Sequence, residues 1–558
     1  MTPDKRAGTL IDHVLQDMTP NFAGLTAQMP LVLSAATGTR LPSTSTSGFG
    51  DWSRRPIDAW SGGTRLSYIP TPVANYLFDN YMRGVVTQYP IFYLPDVVKS
   101  FRAVFSPAIP CQEPGDLATP YDAYTVSLIM AISLTTSARA QQLRANSIAT
   151  GLFKTAMQHI QNVCTNDLRG LQALLLLCQY LFLNPSVANV WFLSGVTTHL
   201  CIDLGLHCET SEVLRNDPLT LDVRRRVFWC AYEMEIATSA ALLQPTQFQR
   251  EVINVPFPTE VTDAAIFPQG IDPSGQLTKF PAKRIWLFRQ IEAEIVSILF
   301  HGGTLPPQDG GSLDLWMQRM EAAIITWEDE TVYHTSINKG HPATQELRLY
   351  AQIARDYIIV TLFRPSHRVK DPTPENLMKT VQASVGVARG YTMQQSLGFG
   401  NSKYVFHPCH HSFSAAIVFL QALERCNEWF CVRYTIGEID DFISVFSNFF
   451  STIAERWPAS LRCLEEFQRL LLPVKQKYID FLENRARIAT SSSIPSEEPL
   501  FMERSNSDAA DPTRTPQDEW IYTNALFPQG VFNMDGLGEQ LKIPIPSDWG
   551  MEFDLGIF

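Results

Sequence analysis

Charge is scarce in this chain of 558 residues: Asp, Glu, Lys and Arg make up 18% of it, against 45% hydrophobic residues. The formal net charge is −12, and twelve acids against three bases fall from residue 490 onward, which leaves the body before them close to neutral. No stretch carries the clustered Lys and Arg of a nucleic-acid surface, so tight direct DNA binding by this polypeptide alone is not expected. None of the ten cysteines forms a C-x2-C pair, and none precedes Cys111. Several lie in apolar runs, where a thiol acts as a small hydrophobe; this suits a reducing compartment and argues against a disulfide framework. The first residues lack the basic-then-apolar pattern of a secretory leader. The longest apolar run, Leu171 to Leu183, is too short for a bilayer and contains Gln172 and Gln179, so no membrane span is expected. There is no G-x-S-x-G elbow and no G-x4-G-K-S/T phosphate loop, and Gly398-Phe399-Gly400 lacks the third glycine and the upstream strand of a dinucleotide site. Strand-like alternation between hairpin turns and repeats of fixed period are also missing.

What is present is helical periodicity. Leu221 to Leu243 contains neither Gly nor Pro, and Asp222 can cap its start. Val223, Val227, Cys230, Met234 and Ala241 share one side; Trp229, Tyr232, Ile236 and Leu243 share nearly the opposite one. A helix apolar on two sides belongs in the middle of a helical domain, with Arg225, Arg226, Glu233 and Glu235 paired or snorkelling. Before it, Leu77, Tyr81, Val85 and Tyr89 repeat at helical spacing until Pro90. Tyr121 to Ala149 reads as one helix, Leu152 to Val163 as the next. Leu168 to Tyr180 and Trp191 to Leu204 form an αα-hairpin, with Asn184-Pro185 ending the first helix and Gly205 as a left-handed cap on the second. After a Pro-rich loop from Val252 to Phe280, helices are expected over Phe280 to Phe300, Leu313 to Glu328, Thr344 to Phe363, Glu375 to Gln394, Phe413 to Trp429, Ile439 to Phe450 and Leu461 to Glu483. The fold class is therefore all-α.

Several phrases resemble, in order, the fungal-specific transcription factor domain, the middle homology region of fungal binuclear zinc-cluster regulators. Asn75 to Tyr81 with Gln88 to Leu94 resembles its first helix and turn. Leu168 to Tyr180 resembles its leucine-rich helix, Leu204-Gly205-Leu206-His207 a phrase near its centre, and Arg224-Arg225-Arg226-Val227-Phe228-Trp229 with Tyr232 its signature. Glu235 and Ile236 stand at its acid-Arg pair, Leu243-Gln244-Pro245 replaces its Gly-Arg-Pro turn, Val255 to Pro258 matches its Val-Pro-Leu-Pro segment, and Leu362 to Ser366 matches its Leu-Tyr-Arg-Pro-Ser. The resemblance spans residues 72–400. It implies a multi-helix regulatory domain over residues 67–484, nuclear control of transcription and, as the target, a specialised-metabolite gene cluster. The family's zinc cluster needs six thiolates in two C-x2-C-x6-C halves; with no cysteine before Cys111 that module is expected to be missing, and no heptad run replaces the coiled coil. DNA would then be reached through a zinc-cluster partner in a homo- or heterodimer, or through an upstream exon outside this sequence.

Residues 1–66 read as a disordered linker with one short helix over Leu10 to Met18, and 485–515 as a second linker. Residues 516–558 mix acids with Trp520, Tyr522, Phe532, Trp549 and Phe553, the composition of an acidic activation tail that would engage a coactivator, or else fold its aromatics back onto the helical body. No catalytic, cofactor-binding or metal-binding residue is assigned. His207 reads as a capping or packed histidine, Arg364 as a helix-end arginine bonding terminal carbonyls or a ligand contact. His407 and His411 share a helix face but lack a third metal ligand, and Pro408 suits a first turn where imidazoles cap or face solvent. Cys201 and Cys208 have metal-like spacing without a C-x2-C companion. Glu328-Asp329-Glu330 and Asp440-Asp441 read as solvated faces or helix starts. Three other readings stay open: a small-molecule-sensing co-regulator, whose sign would be an apolar pocket among the helices; a dominant-negative inhibitor; and an all-α metal-dependent enzyme built on His407 to His411.

Overall fold

The computed structural model of the protein describes residues 63–105, 118–138 and 142–491. The expected linker over residues 1–66, its Leu10 to Met18 helix, the tail 516–558 and most of 485–515 lie outside the described residues, apart from 63–66 and 485–491. Among the described residues there are sixteen α-helices and one minimal hairpin, so the chain is all-α as expected. No helix among them is long and apolar enough to cross a membrane.

Helix α1 (Thr71–Asn80) runs straight into a π-helical turn at Tyr81–Val85. Leu77, Tyr81, Val85 and Tyr89 are all buried, as their spacing requires. Next come α2 (Leu94–Phe105), α3 (Pro120–Ser137), α4 (Gln142–Met157) and the single turn α5 (Ile160–Val163). The single helix expected over Tyr121 to Ala149 is therefore two. Neither Gly nor Pro marks the break. Instead the hydroxyls of Thr135, Thr136 and Ser137 bond back to the carbonyls of Ala131, Ile132 and Ser133, and Ala138 turns extended at ψ 122°. Such hydroxyls compete with the helical ladder.

Helices α6 (Leu168–Leu183) and α7 (Val190–Asp203) form the predicted hairpin, and Gly205 takes φ +61° just beyond it. The central helix is α8 (Pro218–Leu242). Its cap lies five residues earlier than the sequence suggests, because Asp217, not Asp222, caps it through Thr220 N–H with Pro218 at its first turn. Asp222, expected as the cap, lies inside the helix and is 2% exposed. Eighteen of the 25 residues of α8 are buried, and it packs against α6, α7 and two helices of the second half, so it is indeed the hub. Those two are α9 (Phe280–Phe300) and α13 (Phe406–Arg425); between them lie α10 (Leu313–Ile337), α11 (Thr344–Phe363) and α12 (Pro374–Ser396). The body closes with α14 (Asn427–Arg433), α15 (Ile436–Ala454) and α16 (Leu461–Ser491), the last two longer than expected.

The Pro-rich loop between α8 and α9 is ordered. It carries a hairpin of two-residue strands, β1 (Ile266–Phe267) and β2 (Gly270–Ile271), too short to show alternation in the sequence. Ile266 is fully buried, so the loop has a small apolar anchor of its own.

Candidate functional site

The three consecutive arginines of α8 point to three different partners. Arg224 Nη2 donates to the Leu204 carbonyl at the end of α7, at 3.3 Å. Arg225 grips Glu209 with both nitrogens, Nε to Oε1 at 2.6 Å and Nη2 to Oε2 at 2.9 Å. These two contacts bind the Leu204-Gly205-Leu206-His207 phrase to the signature helix. His207 takes part through its carbonyl, which accepts from Asn254 N–H at 3.0 Å; Glu209 N–H returns a bond to the Asn254 carbonyl at 3.1 Å. The next residues, Val255 to Pro258, lie along the same helix. Trp229 Nε1 donates to the Pro256 carbonyl at 3.1 Å, and the Trp229 and Phe257 rings are 4.3 Å apart. The Leu204 to His207 phrase and the Val255 to Pro258 segment, distant in sequence, therefore meet on the signature stretch of α8.

Arg226 is the buried member, 1% exposed. Its Nε stands 2.8 Å from Asp222 Oδ2, one turn back, and its Nη1 is 3.0 Å from Asp263 Oδ1 and donates to the Phe92 carbonyl at 3.1 Å. Asp263, in the loop, also takes Lys279 Nζ at 2.9 Å and Leu94 N–H at 2.8 Å. Asp222 Oδ1 accepts Thr259 N–H at 2.8 Å. Two acids and two cations are thus locked together away from water, joining α2, α8 and the loop. Burial works against the Asp263 charge, but Arg226 and Lys279 outweigh it and hold its carboxyl below the usual range. The pairing expected for Arg225 and Arg226 is observed.

Further along α8 the acids are held by neutral donors. Glu233 Oε2 accepts Trp286 Nε1–H at 2.9 Å, and burial pushes the carboxyl up to about 8. Glu235 accepts Gln247 N–H at 2.8 Å and the Ser239 hydroxyl at 3.1 Å, and burial pushes it up to about 7. Glu235 thereby fastens the chain returning from the turn. At that turn Leu243 takes the left-handed conformation, φ 50°, where the resembling family has glycine. The backbone shape survives at a cost of roughly 1–2 kcal/mol for a residue with a Cβ.

The remaining candidates are structural. Arg364 is buried; its Nη1 donates to the Ser414 hydroxyl at 2.6 Å and its guanidinium lies 5.1 Å from the Phe300 ring centre. It therefore reaches across to α13 and not to the last carbonyls of α11, and burial draws it down to about 10. His410 and His411 are buried inside the bundle, and His407 is half-buried at its edge with its ring 4.7 Å from that of Phe182. His411 Nδ1 is 2.8 Å from the Tyr391 hydroxyl and its ring stacks on Tyr357 at 3.7 Å; His410 Nδ1 is 2.8 Å from the Phe406 carbonyl. Burial holds His407 and His411 well below the ordinary range, and His410 down to about 4. Among the described residues no three His, Cys, Asp or Glu side chains gather as metal ligands would. Cys201 is buried in α7, while Cys208 lies past its end. Glu328 and Glu330 pair with Arg355 and Arg284, and Asp440 with Lys475.

Sequence reasoning missed Asp263, Lys279 and the pairing role of Asp222. The i,i+4 spacing of Asp222 and Arg226 was a usable signal. Asp263 and Lys279 lie in an aperiodic loop, where no spacing rule brings them to α8.

Residues 78–329 match the family described as "Fungal specific transcription factor domain". The chain is 22% identical over 372 residues to the "Positive regulator of purine utilization" of Emericella nidulans, covering 54% of this chain and 35% of that protein. It is 29% identical over 209 residues to the "Pyrimidine pathway regulatory protein 1" of Saccharomyces cerevisiae, covering 35% and 22%. It is 34% identical over 140 residues to "Protein STB5" of the same yeast, covering 24% and 19%. The chain thus spans about a third or less of the length of these relatives. The matched segment holds α8, its ion-pair lock and every phrase that converges on it, so it is through residues 78–329 that the chain resembles the fungal specific transcription factor domain.

Proposed function

We propose that this protein regulates transcription in the nucleus, and that its target is a specialised-metabolite gene cluster. The observation that carries the reading is the match over residues 78–329, whose defining phrases meet on α8. The printed names of the relatives, regulators of purine and pyrimidine genes among them, agree with it. DNA is reached through a zinc-cluster partner, or through an exon outside this sequence, since residues 1–558 hold no C-x2-C pair. The acidic-aromatic segment 516–558 recruits a coactivator.

Deleting the gene and sequencing the transcriptome tests the regulatory reading. Coordinate change in one set of clustered biosynthetic transcripts is expected; an unchanged transcriptome under inducing conditions refutes it. Purified residues 1–558 should show no sequence-specific retention of duplex DNA at about 0.15 M salt, and should gain it when a zinc-cluster partner is added. Specific binding by the chain alone overturns the partner route.

A further inference from the structure

The loop between α8 and α9 is built in two storeys. Its neck is held firmly: Thr262 N–H donates to the Gln276 carbonyl at 2.7 Å, Thr278 N–H donates to the Glu260 carbonyl at 2.9 Å, and Asp263 stands in the ion-pair lock. The tip, residues 264–275, is held differently. Asp272 N–H closes it on the Ala265 carbonyl at 2.9 Å, a bond internal to the tip. It is fastened to the helical body by Ile266, fully buried with Ala265 and Val261 against Leu219 at the start of α8, and by one long bond of 3.4 Å from the Tyr93 hydroxyl to the Ile266 carbonyl. Phe267, Pro268 and Gln269 are exposed, as are Ile271 to Ser274. One buried isoleucine is a modest anchor, on the order of a 10- to 100-fold preference for the seated state.

The phrase that makes this tip occurs twice in the chain. Ala265-Ile266-Phe267-Pro268-Gln269-Gly270-Ile271 has a second version in Ala525-Leu526-Phe527-Pro528-Gln529-Gly530-Val531, with five residues identical and two exchanged between aliphatics. What is kept is what the seat and the turn need. The buried pair Ala265-Ile266 becomes Ala525-Leu526, the Pro-Gln-Gly that reverses the chain between β1 and β2 is unchanged, and the aliphatic paired across the hairpin with Ile266 becomes Val531. What is lost is what ties the loop down: Thr523 and Phe532 stand where Asp263 and Asp272 would be. The second version copies the removable part of the loop without its fastenings. Thirty-three residues separate it from Ser491 at the end of α16, up to about 110 Å of extended chain, so reach does not limit it.

We propose that Ala525–Val531 exchanges with the tip for its seat on α8, Leu526 replacing Ile266 against Leu219 and Val261, while Asp263 and the neck stay locked. The seat is then a docking point, on the signature helix, for the chain's own C-terminal segment. The two occupants exclude each other, so whatever binds the C-terminal copy elsewhere returns the seat to the tip. The inference stands on the repeated phrase and the seat, not on the gene-regulatory reading, so each can fail alone.

The test uses the full chain with p-benzoylphenylalanine in place of Phe527. Irradiation should cross-link it to peptides that hold Leu219 or Val261. Leu526→Asp, which brings a charge to an apolar seat, should cut that cross-link at least about tenfold. Leu526 is no part of the helical body, so the loss cannot come from unfolding it. To the Leu526→Asp chain a synthetic peptide of residues 523–533 should bind saturably and speed amide exchange at 265–271 but not in α3. Ile266→Asp, added to that chain to weaken the resident, should tighten the peptide at least about tenfold, the value of one buried aliphatic. The proposal is overturned if the cross-link to the seat does not exceed the Leu526→Asp level, or if the peptide does not bind. It is also overturned if light and heavy isotope-labelled chains, mixed before irradiation, link only to each other, since the occupant would then be a second copy.

Discussion

At the residue scale the decisive contrast is between Arg226 and its neighbour Arg225. Both are paired, but Arg226 is 1% exposed while the Arg225 side chain retains 24%. Removing one partner of a buried pair leaves an uncompensated charge in a medium that cannot solvate it. Asp263→Asn leaves Lys279 without its acid and Arg226 with Asp222 alone, and should lower stability by about 3–5 kcal/mol. Arg225→Gln leaves Glu209 partly open to water and should cost about 1 kcal/mol. Urea unfolding of the two variants checks this; equal losses would mean that Asp263 is not carrying the lock. Half of the arrangement was legible from the sequence. Asp222 and Arg226 stand one turn apart, so a helix through them puts acid beside base. Asp263 was not legible, because its position follows from how a 37-residue connection between α8 and α9 folds back, and Pro-rich chain has no period from which that path follows.

At the scale of the element, α8 is held mainly by its aromatic face. Trp229 is 2% exposed, its ring 4.3 Å from Phe257 and 6.2 Å from Trp286, and its N–H is spent on Pro256. Trp229→Ala should cost roughly 3–5 kcal/mol and loosen the Val255 to Pro258 segment, seen as faster amide exchange there than in α3. A helix end costs less. Thr119 closes a reciprocal capping box with Asp122 at the start of α3, so Thr119→Ala should cost about 1 kcal/mol in the same unfolding assay. The existence of nearly every helix was readable from apolar spacing, and α9 and α11 match their expected bounds to the residue. Where the reading failed, local polar chemistry had outweighed the apolar pattern. Asp217 and Pro218 moved the start of α8, and the hydroxyls of Thr135 to Ser137 mark the end of α3 inside a stretch that no Gly or Pro interrupts.

At the scale of the whole molecule, the buried ionisable groups of α8 and α13 combine into a pH profile. His407, His410 and His411 resist protonation in the folded state, whereas the unfolded chain takes those protons as pH falls through about 6.5. The unfolded state then binds more protons, so stability declines as pH drops below that value. Glu233 and Glu235 act in the opposite sense. Folded, they keep their protons up to about 8 and about 7, while the unfolded chain releases them near 4.5. Across that window the folded state binds more protons, so stability declines as pH rises. The two sets oppose each other between about pH 4.5 and 6.5, which places the broad maximum there. Above it only the acids act, each contributing at most about 1.4 kcal/mol per pH unit until its folded value is passed. Urea midpoints measured from pH 4 to 9 should therefore peak below neutrality and fall towards pH 8. Glu233→Gln keeps an acceptor for Trp286 and cannot ionise, so it should flatten the alkaline arm and leave the acid arm unchanged. A parent protein whose stability keeps rising to pH 8 would show that Glu233 and Glu235 are ionised in the folded bundle, and the picture of α8 as a helix whose inner acids are held by neutral donors would be wrong.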